Sequence, residues 1–224
     1  MPNWCYNTIV VTGDKKSINT ILTKLSLLND RDGIMEELIG LGDIDKQSYT
    51  TGDTWYNWNI NRFGTKWDVP KSDFMGNLQI DSDDEEDSGF TTSFDTAWSP
   101  PVPFLATLSN IYNVSITLDA EEGGNDFYVK AVFNNGHIEE LDEMSFDAGH
   151  YCHNEDYFWD SVVPNQIEYW CEDDTEPDME MVKERFDFVS GEDKKRIMDD
   201  WKEEWKEYQK RLAEEEKNKQ KEKV

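Results

Sequence analysis

Two tryptophan-bearing segments carry the residue types best suited to binding chemistry in this chain. The first, residues 61–68, reads Asn-Arg-Phe-Gly-Thr-Lys-Trp-Asp and places Arg62 and Lys66 beside Trp67. A large flat ring offers a stacking platform to a base, and cationic side chains donate hydrogen bonds to a phosphate or a carboxylate. The segment therefore predicts part of a pocket for a nucleotide-like anion.

The second segment, residues 94–101, reads Phe-Asp-Thr-Ala-Trp-Ser-Pro-Pro and joins a predicted strand to a predicted helix. The start of a helix favours anions because its N–H groups point outward. If the two segments meet at one end of a sheet, they form one pocket, and Trp4 and Cys5 would border it. The candidate ligand-binding residues are Arg62, Thr65, Lys66, Trp67, Thr96 and Trp98.

A structural interpretation of the same residues stays open. Trp67 can belong to the hydrophobic core, and Lys66 and Arg62 can pair with nearby acids such as Asp68 and Asp95. Tryptophan also packs at corners where a strand turns into a helix. The residue types alone do not separate a pocket from such a corner.

The charge of the chain is the most unusual property of its composition. Its 224 residues include 49 acidic and 22 basic residues, which gives a formal net charge of −27 and a pI near 4.3. Binding to the phosphate backbone requires basic surface, so we expect no direct binding of nucleic acid. Three interpretations of the acidity remain: solubility, repulsion of nucleic acid, and imitation of nucleic acid towards a basic protein. Aromatic residues, at 13%, supply the apolar area that a folded core buries.

Location and metal binding are predicted from what the sequence lacks. It shows neither a signal peptide nor a run of about eighteen apolar residues, so we expect a cytoplasmic protein that does not enter a membrane. Three cysteines without framework spacing indicate a reducing compartment. His150, Cys152 and His153 form the one metal-like motif, but residues so close in sequence rarely face one centre. We predict no metal and no cofactor.

The elements that position these residues follow from hydrophobic periodicity and turn signals. A strand at 9–12 precedes a helix that Ser17 can cap. The further predicted elements are strands at 77–80 and 89–94, a helix at 101–112, and strands at 114–118, 127–133 and 137–141. The order β, α, β, β, α, β with additional strands predicts an α+β, ferredoxin-like fold with an antiparallel sheet and helices on one face. We assign this domain to residues 1–145, with an insertion at 33–70.

The C-terminal part of the chain has a different pattern. Residues 146–176 are predicted to be an irregular connector rich in aromatic and acidic side chains, and residues 177–224 a helical arm with a solvated tail. Trp201, Trp205 and Tyr208 recur at helical spacing and form an apolar stripe that must pack on something. Its partner is the chain's own sheet or helices, a second copy in a homodimer, or a foreign protein.

The start of the chain and the two tryptophan segments together resemble a known family. The pieces that carry the resemblance are Met1-Pro2-Asn3-Trp4-Cys5 with Asn7, residues 64–68 and residues 94–101. They are similar to the YubB-type family of plasmid and bacteriophage proteins. The resemblance implies a ferredoxin-like domain over residues 1–145 and an origin in a mobile genetic element, hence the cytoplasm of a host cell. It implies no catalytic residue, because that family is largely uncharacterised.

Three functional hypotheses follow. The leading one is a non-enzymatic phage or plasmid accessory protein that captures a small nucleotide-like anion and counters a host defence. The second is an acidic inhibitor or nucleic-acid mimic that binds a basic host protein through its negative surface and C-terminal helix. The third is a hydrolase of unknown type. The sequence contains no nucleophile elbow, P-loop or dinucleotide fingerprint, so we name no catalytic residue.

Overall fold

The computed structural model describes residues 3–40, 55–81 and 87–221, and the chain divides into two compact units, 1–146 and 147–224. The strands of the first unit are β1 Trp4–Asp14, β2 Gln79–Asp81, β3 Asp87–Ala97, β4 Ser115–Glu122, β5 Phe127–Asn134 and β6 His137–Met144. Its described helices are α1 Lys15–Leu27, α2 Ile34–Ile39, α3 Trp55–Phe63, α4 Lys71–Met75 and α5 Val102–Tyr112.

The first unit has a ferredoxin-like fold. In the described residues the sheet has six strands in the order β2-β3-β1-β4-β5-β6, and every neighbouring pair is antiparallel. Strand β3 lies between β1 and β2, and β1 lies between β3 and β4, so both helical crossovers are split by a strand. This is the predicted βαββαβ arrangement, with β5 and β6 added beyond β4.

The core lies between one face of the sheet and the helices. Strand β1 is central, and its side chains alternate between the two faces because a strand repeats every two residues. The buried apolar side chains that meet on the helical face of the sheet include Cys5, Ile9 and Val11 from β1, Ile18, Ile21 and Leu25 from α1, and Phe104, Leu105 and Leu108 from α5.

Helix α1 begins earlier than Ser17, the residue that the sequence suggested as its cap. Asp14 occupies the cap position, and its Oδ1 accepts hydrogen bonds from the backbone N–H groups of Lys16 and Ser17, at 3.0 and 2.9 Å. These bonds, the one from Ser17 above all, hold the pKa of the Asp14 carboxyl below its ordinary value. A carboxylate directly after Gly13 reaches these orphan donors, so the helix starts there.

The predicted insertion at 33–70 contributes to the first core rather than lying outside it. Its described residues form α2, α3 and the segment that follows α3, and they bury Ile34, Met35, Leu38, Phe63 and Val69. Residues 41–54 of the insertion lie outside the described residues. So do residues 82–86 of the predicted acidic loop between β2 and β3.

The second unit is helical, which corrects the prediction of an irregular connector at 146–176. Its elements are α6 Phe146–His153, α7 Glu155–Tyr157, a π-helical turn Phe158–Val162, α8 Val163–Glu172, α9 Met179–Arg185 and α10 Gly191–Lys221. Pro164 stands in the first turn of α8, where a proline needs no N–H partner. Ile167, Trp170 and Cys171 then follow at helical spacing and are buried.

The apolar stripe on α10 packs within its own chain. Trp201 is fully buried, and its ring stacks on Trp170 with the centroids 4.1 Å apart. Trp205 and Tyr208 stack on each other and are half-buried against the same core. The expectation that Trp201 serves a partner is therefore not met, because no part of its side chain reaches the surface. Among the described helices, none is long and apolar enough to cross a membrane.

Candidate functional site

A cavity of about 320 Å³ lies at the end of the first unit's sheet where β1 begins and β3 ends. Trp4 from β1 and Trp67 from the segment after α3 form two of its walls. Their ring centroids are 6.0 Å apart with the planes inclined at 44°, and 52% of Trp4 and 38% of Trp67 are exposed. The other lining residues are Asp68, Pro70, Asp73, Asp95, Thr96 and Ala97.

The position of Trp67 is set by the close docking of Gly64 and Thr65 onto the end of β3. Thr65 is buried, and its hydroxyl donates to the carbonyl of Ala97 at 3.0 Å and accepts from the N–H of Ala97 at 3.1 Å. The hydroxyl of Ser99 donates to the carbonyl of Gly64 at 2.6 Å. The two tryptophan segments therefore meet, joined by side-chain to backbone hydrogen bonds.

Gly64 is required at this junction for two reasons. Its φ of +83° lies in the left-handed region, which glycine adopts without steric cost. A Cβ at this position would also lie 2.5 Å from Cδ of Pro103 and 3.0 Å from the carbonyl oxygen of Pro100. Backbone approach this close leaves no room for a side chain.

Asp68 fixes the far side of the Trp67 segment. Its Oδ1 accepts hydrogen bonds from the N–H groups of Met35 and Val69, at 2.8 and 2.7 Å, and its Oδ2 accepts from Glu36 at 3.0 Å. The carboxylate thus caps α2 from outside that helix. The Asp68 carboxylate lines the cavity, but it already accepts hydrogen bonds from three backbone N–H groups.

The remaining carboxylates of the cavity give it a negative character. Asp73 comes from α4 and Asp95 from β3, and the described lining residues include neither lysine nor arginine. Partial burial raises the pKa of Asp95 above its ordinary value, and the nearby Asp73 carboxylate raises it further. Among the described residues, no hydrogen bond reaches the Asp95 carboxylate, and the residue is exposed to solvent.

Asp95, which lines the cavity, lies on the sheet face opposite α1 and α5. The strand register aligns Asp95, Tyr6, Glu121 and Tyr128 across four neighbouring strands, and residues directly opposite share a face. The next row includes Asp119, whose Oδ1 accepts from the Tyr128 hydroxyl at 2.8 Å. Burial, assisted by Asp119, raises the pKa of Glu121. Acidic and aromatic side chains therefore extend from the cavity across this face.

The structure brings together part of the predicted site. Trp67 and Thr96 line the cavity. The Thr96 hydroxyl, however, is buried, donates to the carbonyl of Ser99 at 2.8 Å and accepts from Asn7 at 2.9 Å. Thr65 is buried and structural, as its bonds to Ala97 show.

The two predicted cations do not line the cavity. Lys66 places Nζ 4.4 Å from the centroid of the Trp67 ring, and Nη2 of Arg62 donates to the carbonyl of Gly40 at 2.6 Å. No ion pair of Lys66 with Asp68 or Asp95 occurs among the described residues.

Trp98 forms the corner after β3. It is 41% exposed and has a φ of +77°, a value that is unusual for a bulky residue, and it is not among the described residues that line the cavity. Its N–H donates to the carbonyl of Asn3 at 3.1 Å, which ties the corner to the start of the chain. The left-handed backbone turns the chain out of the sheet before α5 begins.

Sequence reasoning missed the acids of the site and placed Cys5 wrongly. Trp4 borders the cavity as expected, but Cys5 points to the core, where burial raises the pKa of its thiol to about 12. A thiol with that pKa is not a thiolate at neutral pH. The alternation Phe94-Asp95-Thr96 could have placed Asp95 on the face opposite the core. Nothing in the sequence indicated that Asp73 would join it.

The histidine and cysteine cluster lies on α6 in the second unit. His150 is buried, and its ring centroid is 4.2 Å from that of Tyr157, while Cys152 is exposed. Within the described residues, no group of three or more histidine, cysteine, aspartate or glutamate side chains is arranged to hold a metal ion. Burial lowers the pKa of His150, which favours its neutral form.

Replacing Gly64 with alanine should destabilise the first unit and displace Trp67. We expect the free energy of unfolding to fall by more than about 1 kcal/mol, since the change adds both a left-handed strain and a clash. Chemical denaturation measures this loss. The matched control is Gly40→Ala, because Gly40 has a φ of +73° but nothing within 4 Å of an added Cβ. Equal losses in the two variants would contradict the docking of Gly64 against Pro103.

A family comparison agrees with the ferredoxin-like fold. Residues 77–159, less than half of the chain, match the model of a family described as a ferredoxin-like domain in Api92-like protein. A crystal structure of a protein api92 from Yersinia pseudotuberculosis is similar at 11% sequence identity and a TM-score of 0.43, and the match covers 65% of this chain and 99% of that one. No curated protein matches the chain. Over residues 77–159 the chain is therefore similar to the ferredoxin-like domain of Api92-like proteins.

Proposed function

We propose that the first unit is a binding module that captures a cationic side chain of a basic protein in the Trp4–Trp67 cavity. The observation that carries this proposal is the composition of the cavity wall, which combines two tryptophan rings with the carboxylates of Asp73 and Asp95. Ring faces attract cations through their quadrupole, and carboxylates accept hydrogen bonds from guanidinium or ammonium groups. A cavity with these walls is suited to bind a positively charged side chain.

The chain itself gives an example of this preference. Lys66 already holds its ammonium 4.4 Å from the centroid of Trp67. An incoming cation that contacts Asp95 would also lie near Asp73, and repulsion between these two carboxylates is, after partial burial, the second cause of the raised pKa of Asp95. The carboxylates of Asp73 and Asp95 would no longer repel each other once a cation lies between them.

A basic protein fits the rest of the molecule better than a free small cation does. The net charge is −27, and the row that includes Asp95 and Glu121 continues away from the cavity across the sheet, with Asp119 in the next row paired to Lys130 at 3.4 Å. Such a surface accelerates the approach of a positively charged partner and repels nucleic acid. In this proposal the cavity holds one side chain, and the acidic face steers the protein that carries it.

The biological setting is also part of the proposal. The YubB-type resemblance of the N-terminal motifs implies a phage or plasmid origin, and the family match does not bear on that origin. An acidic protein of a mobile element that occupies a basic protein in the host cytoplasm would prevent that protein from binding nucleic acid. Counter-defence is then one expected outcome of the binding.

A peptide with a single central arginine in an uncharged Gly-Ser sequence should bind at the cavity. Trp67→Ala and Asp95→Asn should each weaken the binding about tenfold, because each removes one of the groups that stabilise the cation. Chemical-shift changes of the tryptophan indole N–H groups measure the affinity. The ligand control is the same peptide with citrulline, which keeps the shape of arginine without its charge.

Two exposed residues outside the cavity serve as protein controls. Trp55→Ala removes a ring that is 47% exposed on α3, and Asp156→Asn removes an exposed carboxylate on α7. Both variants should bind the arginine peptide like the wild type. Equal binding of arginine and citrulline peptides, or equal losses in the control variants, would count against the proposal.

The affinity for the arginine peptide should depend on pH through Asp95. Cation binding needs the ionised carboxylate, so the affinity should fall as the pH is lowered through the raised pKa of Asp95, and Asp95→Asn should weaken this dependence. Burial also raises the pKa of Asp68, which lines the same cavity, so protonation of Asp68 contributes to this dependence. In the unbound protein, stability depends on pH in the opposite direction. The stability that Asp95 contributes is fully present below the pKa of its carboxyl in the unfolded state, and it is lost as the pH rises through the raised pKa in the folded state. Denaturation of the wild type and of Asp95→Asn would measure this loss.

Capture of a nucleotide-like anion is the second candidate function. Lys66 beside Trp67, at 4.4 Å from the ring centroid, favours it, because a cation and a stacking ring then stand together next to the cavity. The carboxylates of the cavity oppose it. We therefore rank capture of a nucleotide-like anion below capture of a cationic side chain.

Calorimetry with a panel of nucleotides and cyclic nucleotides separates the two candidates. If the anion is the ligand, Lys66→Ala weakens nucleotide binding at least about tenfold, since it removes the charge-assisted contact, and Asp95→Asn strengthens it by lessening repulsion. If the cation is the ligand, Asp95→Asn weakens the binding of the arginine peptide. Absence of nucleotide binding, with Lys66→Ala indistinguishable from the wild type, would exclude the anion.

A further inference from the structure

A second cavity, of about 420 Å³, lies in the helical unit between α8 and α10, and we call it the α8–α10 cavity. Its apolar wall is formed by Trp159 of the π-helical turn and by Val163, Pro164 and Ile167 of α8. The other side chains that line it are charged, and most of them belong to α10. Its volume lies within the range of about 300–1,000 Å³ that small-molecule sites occupy.

The ring of Trp159 is held by two contacts. Its indole N–H donates to Oε1 of Glu155 at 3.3 Å, and Cζ of Arg196 lies 3.7 Å from its ring centroid. The π-helical turn that carries Trp159 is a kind of turn that occurs frequently at functional sites. Stacking on the ring engages the flat face of the Arg196 guanidinium, so the N–H donors at the edge of that group stay open to a further partner.

The acids nearest to Arg196 along α10 do not use these donors. Asp193 accepts hydrogen bonds from the hydroxyls of Tyr151 and Ser190, at 2.7 and 2.8 Å. Partial burial raises the pKa of Asp200 and Arg196 acts against that shift, so the two charges are close to each other. Among the described residues, however, no ion pair joins Arg196 to Asp193 or Asp200.

The gap between Arg196 and Asp200 follows from the direction of helix side chains. Arg196, Asp200 and Glu204 occur at steps of four and share one face of α10. Side chains of a helix lean towards its N-terminus, so Arg196 extends away from Asp200 and onto Trp159. Arg211 leans the same way, which brings its Nη2 to 2.8 Å from Oε1 of Glu204. The α8–α10 cavity therefore contains one closed ion pair and one open pair of opposite charges.

The open pair is complementary to a small zwitterion. A carboxylate of the ligand can accept hydrogen bonds from the edge of the Arg196 guanidinium, and an ammonium can donate to the Asp200 carboxylate. A lone anion would be repelled by Glu168 and Asp200, which both line the cavity, and by the net charge of −27. A lone cation would meet the positive charge of Arg196 and leave its donors unpaired. A zwitterion avoids both costs.

We propose that the α8–α10 cavity binds a free α-amino acid with an apolar side chain. The carboxylate and ammonium of the ligand lie between Arg196 and Asp200, and its side chain packs on Val163 and Ile167, which removes apolar surface from water. The site belongs to the second unit. It is independent of the cation capture proposed for the first unit.

Titration of the full chain with L-leucine tests this proposal. Binding is followed through the indole N–H signal of Trp159 in NMR spectra, which is assigned from its loss in Trp159→Phe. Leucine should shift this signal, because its side chain packs on the same apolar wall. A salt concentration of about 0.15 M screens the long-range attraction between the acidic chain and cationic ligands.

Three matched ligands each lack one part of leucine. Leucinamide has no carboxylate, N-acetylleucine has no ammonium, and glycine has no apolar side chain. Each should bind at least about tenfold more weakly than leucine, because each loses one of the three contacts. Leucinamide and N-acetylleucine also represent the first and last residues of a peptide, so their weak binding assigns the site to a free amino acid.

Two variants connect each charged group of the ligand to one side chain. Arg196→Gln should no longer bind leucine more tightly than leucinamide, because the ligand carboxylate no longer meets a cation. Asp200→Asn should no longer bind leucine more tightly than N-acetylleucine, because the ammonium loses its charged acceptor. As matched controls, Lys206→Gln and Asp187→Asn remove exposed charges outside the cavity and should keep the affinities of the wild type.

The proposal is overturned by any of four results. Leucine causes no shift of the Trp159 signal, one of the three matched ligands binds the wild type as tightly as leucine does, or Arg196→Gln and Asp200→Asn keep both ligand preferences. The fourth result is a shift at Trp4 or Trp67 without one at Trp159, which would assign leucine to the cavity of the first unit instead.

Discussion

The candidate site depends on a set of buried hydrogen bonds at the end of β3. Asn7 donates to the Thr96 hydroxyl at 2.9 Å, and Thr96 donates to the carbonyl of Ser99. The Thr65 hydroxyl pairs with both backbone groups of Ala97. Each of these polar groups is costly to bury alone, so removing one leaves its partner unsatisfied. These hydrogen bonds therefore hold the segment that carries Trp67 against β3, the strand in which Ala97 lies opposite Trp4.

Electrostatics then decide what the cavity can hold. The chain has more than twice as many acids as bases, and the few cations near the site are engaged by a ring, in Lys66, and by a backbone carbonyl, in Arg62. Asp68 is neutralised in part by three backbone donors. Asp95 has no such donor among the described residues. Partial burial and the nearby Asp73 carboxylate raise its pKa, and burial raises the pKa of Asp68 as well despite its three donors. Positive charge is the natural complement of such a site.

The two units are each organised around a core of their own. In the first, α1 and α5 cover one face of the sheet, and the predicted insertion adds α2 to the same core. In the second, Trp170 and Trp201 stack at the centre of a helical core that also includes Phe158 and Phe186.

The sequence by itself determined the order of the strands of the first unit and of the two helices, α1 and α5, that connect them, but it did not predict α2, α3 and α4. Alternating apolar residues in β1 and β4, the Asn134-Asn135-Gly136 turn and the stripe of α1 are local patterns, and local sterics and periodicity are enough to predict them. The ferredoxin-like topology followed from that order. The helices at 146–172 were missed, although part of their pattern is local: Val163, Ile167, Trp170 and Cys171 recur at helical spacing and are buried in α8.

Tertiary structure alone decided the composition of the site. Trp4 and Trp67 are separated by most of the first crossover, and they meet because β1 pairs with β3 in a register that sets Trp4 opposite Ala97. That register depends on side chains from both strands and on the docking of Gly64, which no local pattern reports. The same long-range placement brought Asp73 and Asp95 to the cavity and left Arg62 and Lys66 outside it. The residue types in the tryptophan segments indicated a pocket, but the charge of that pocket came from residues that the chain fold brings together.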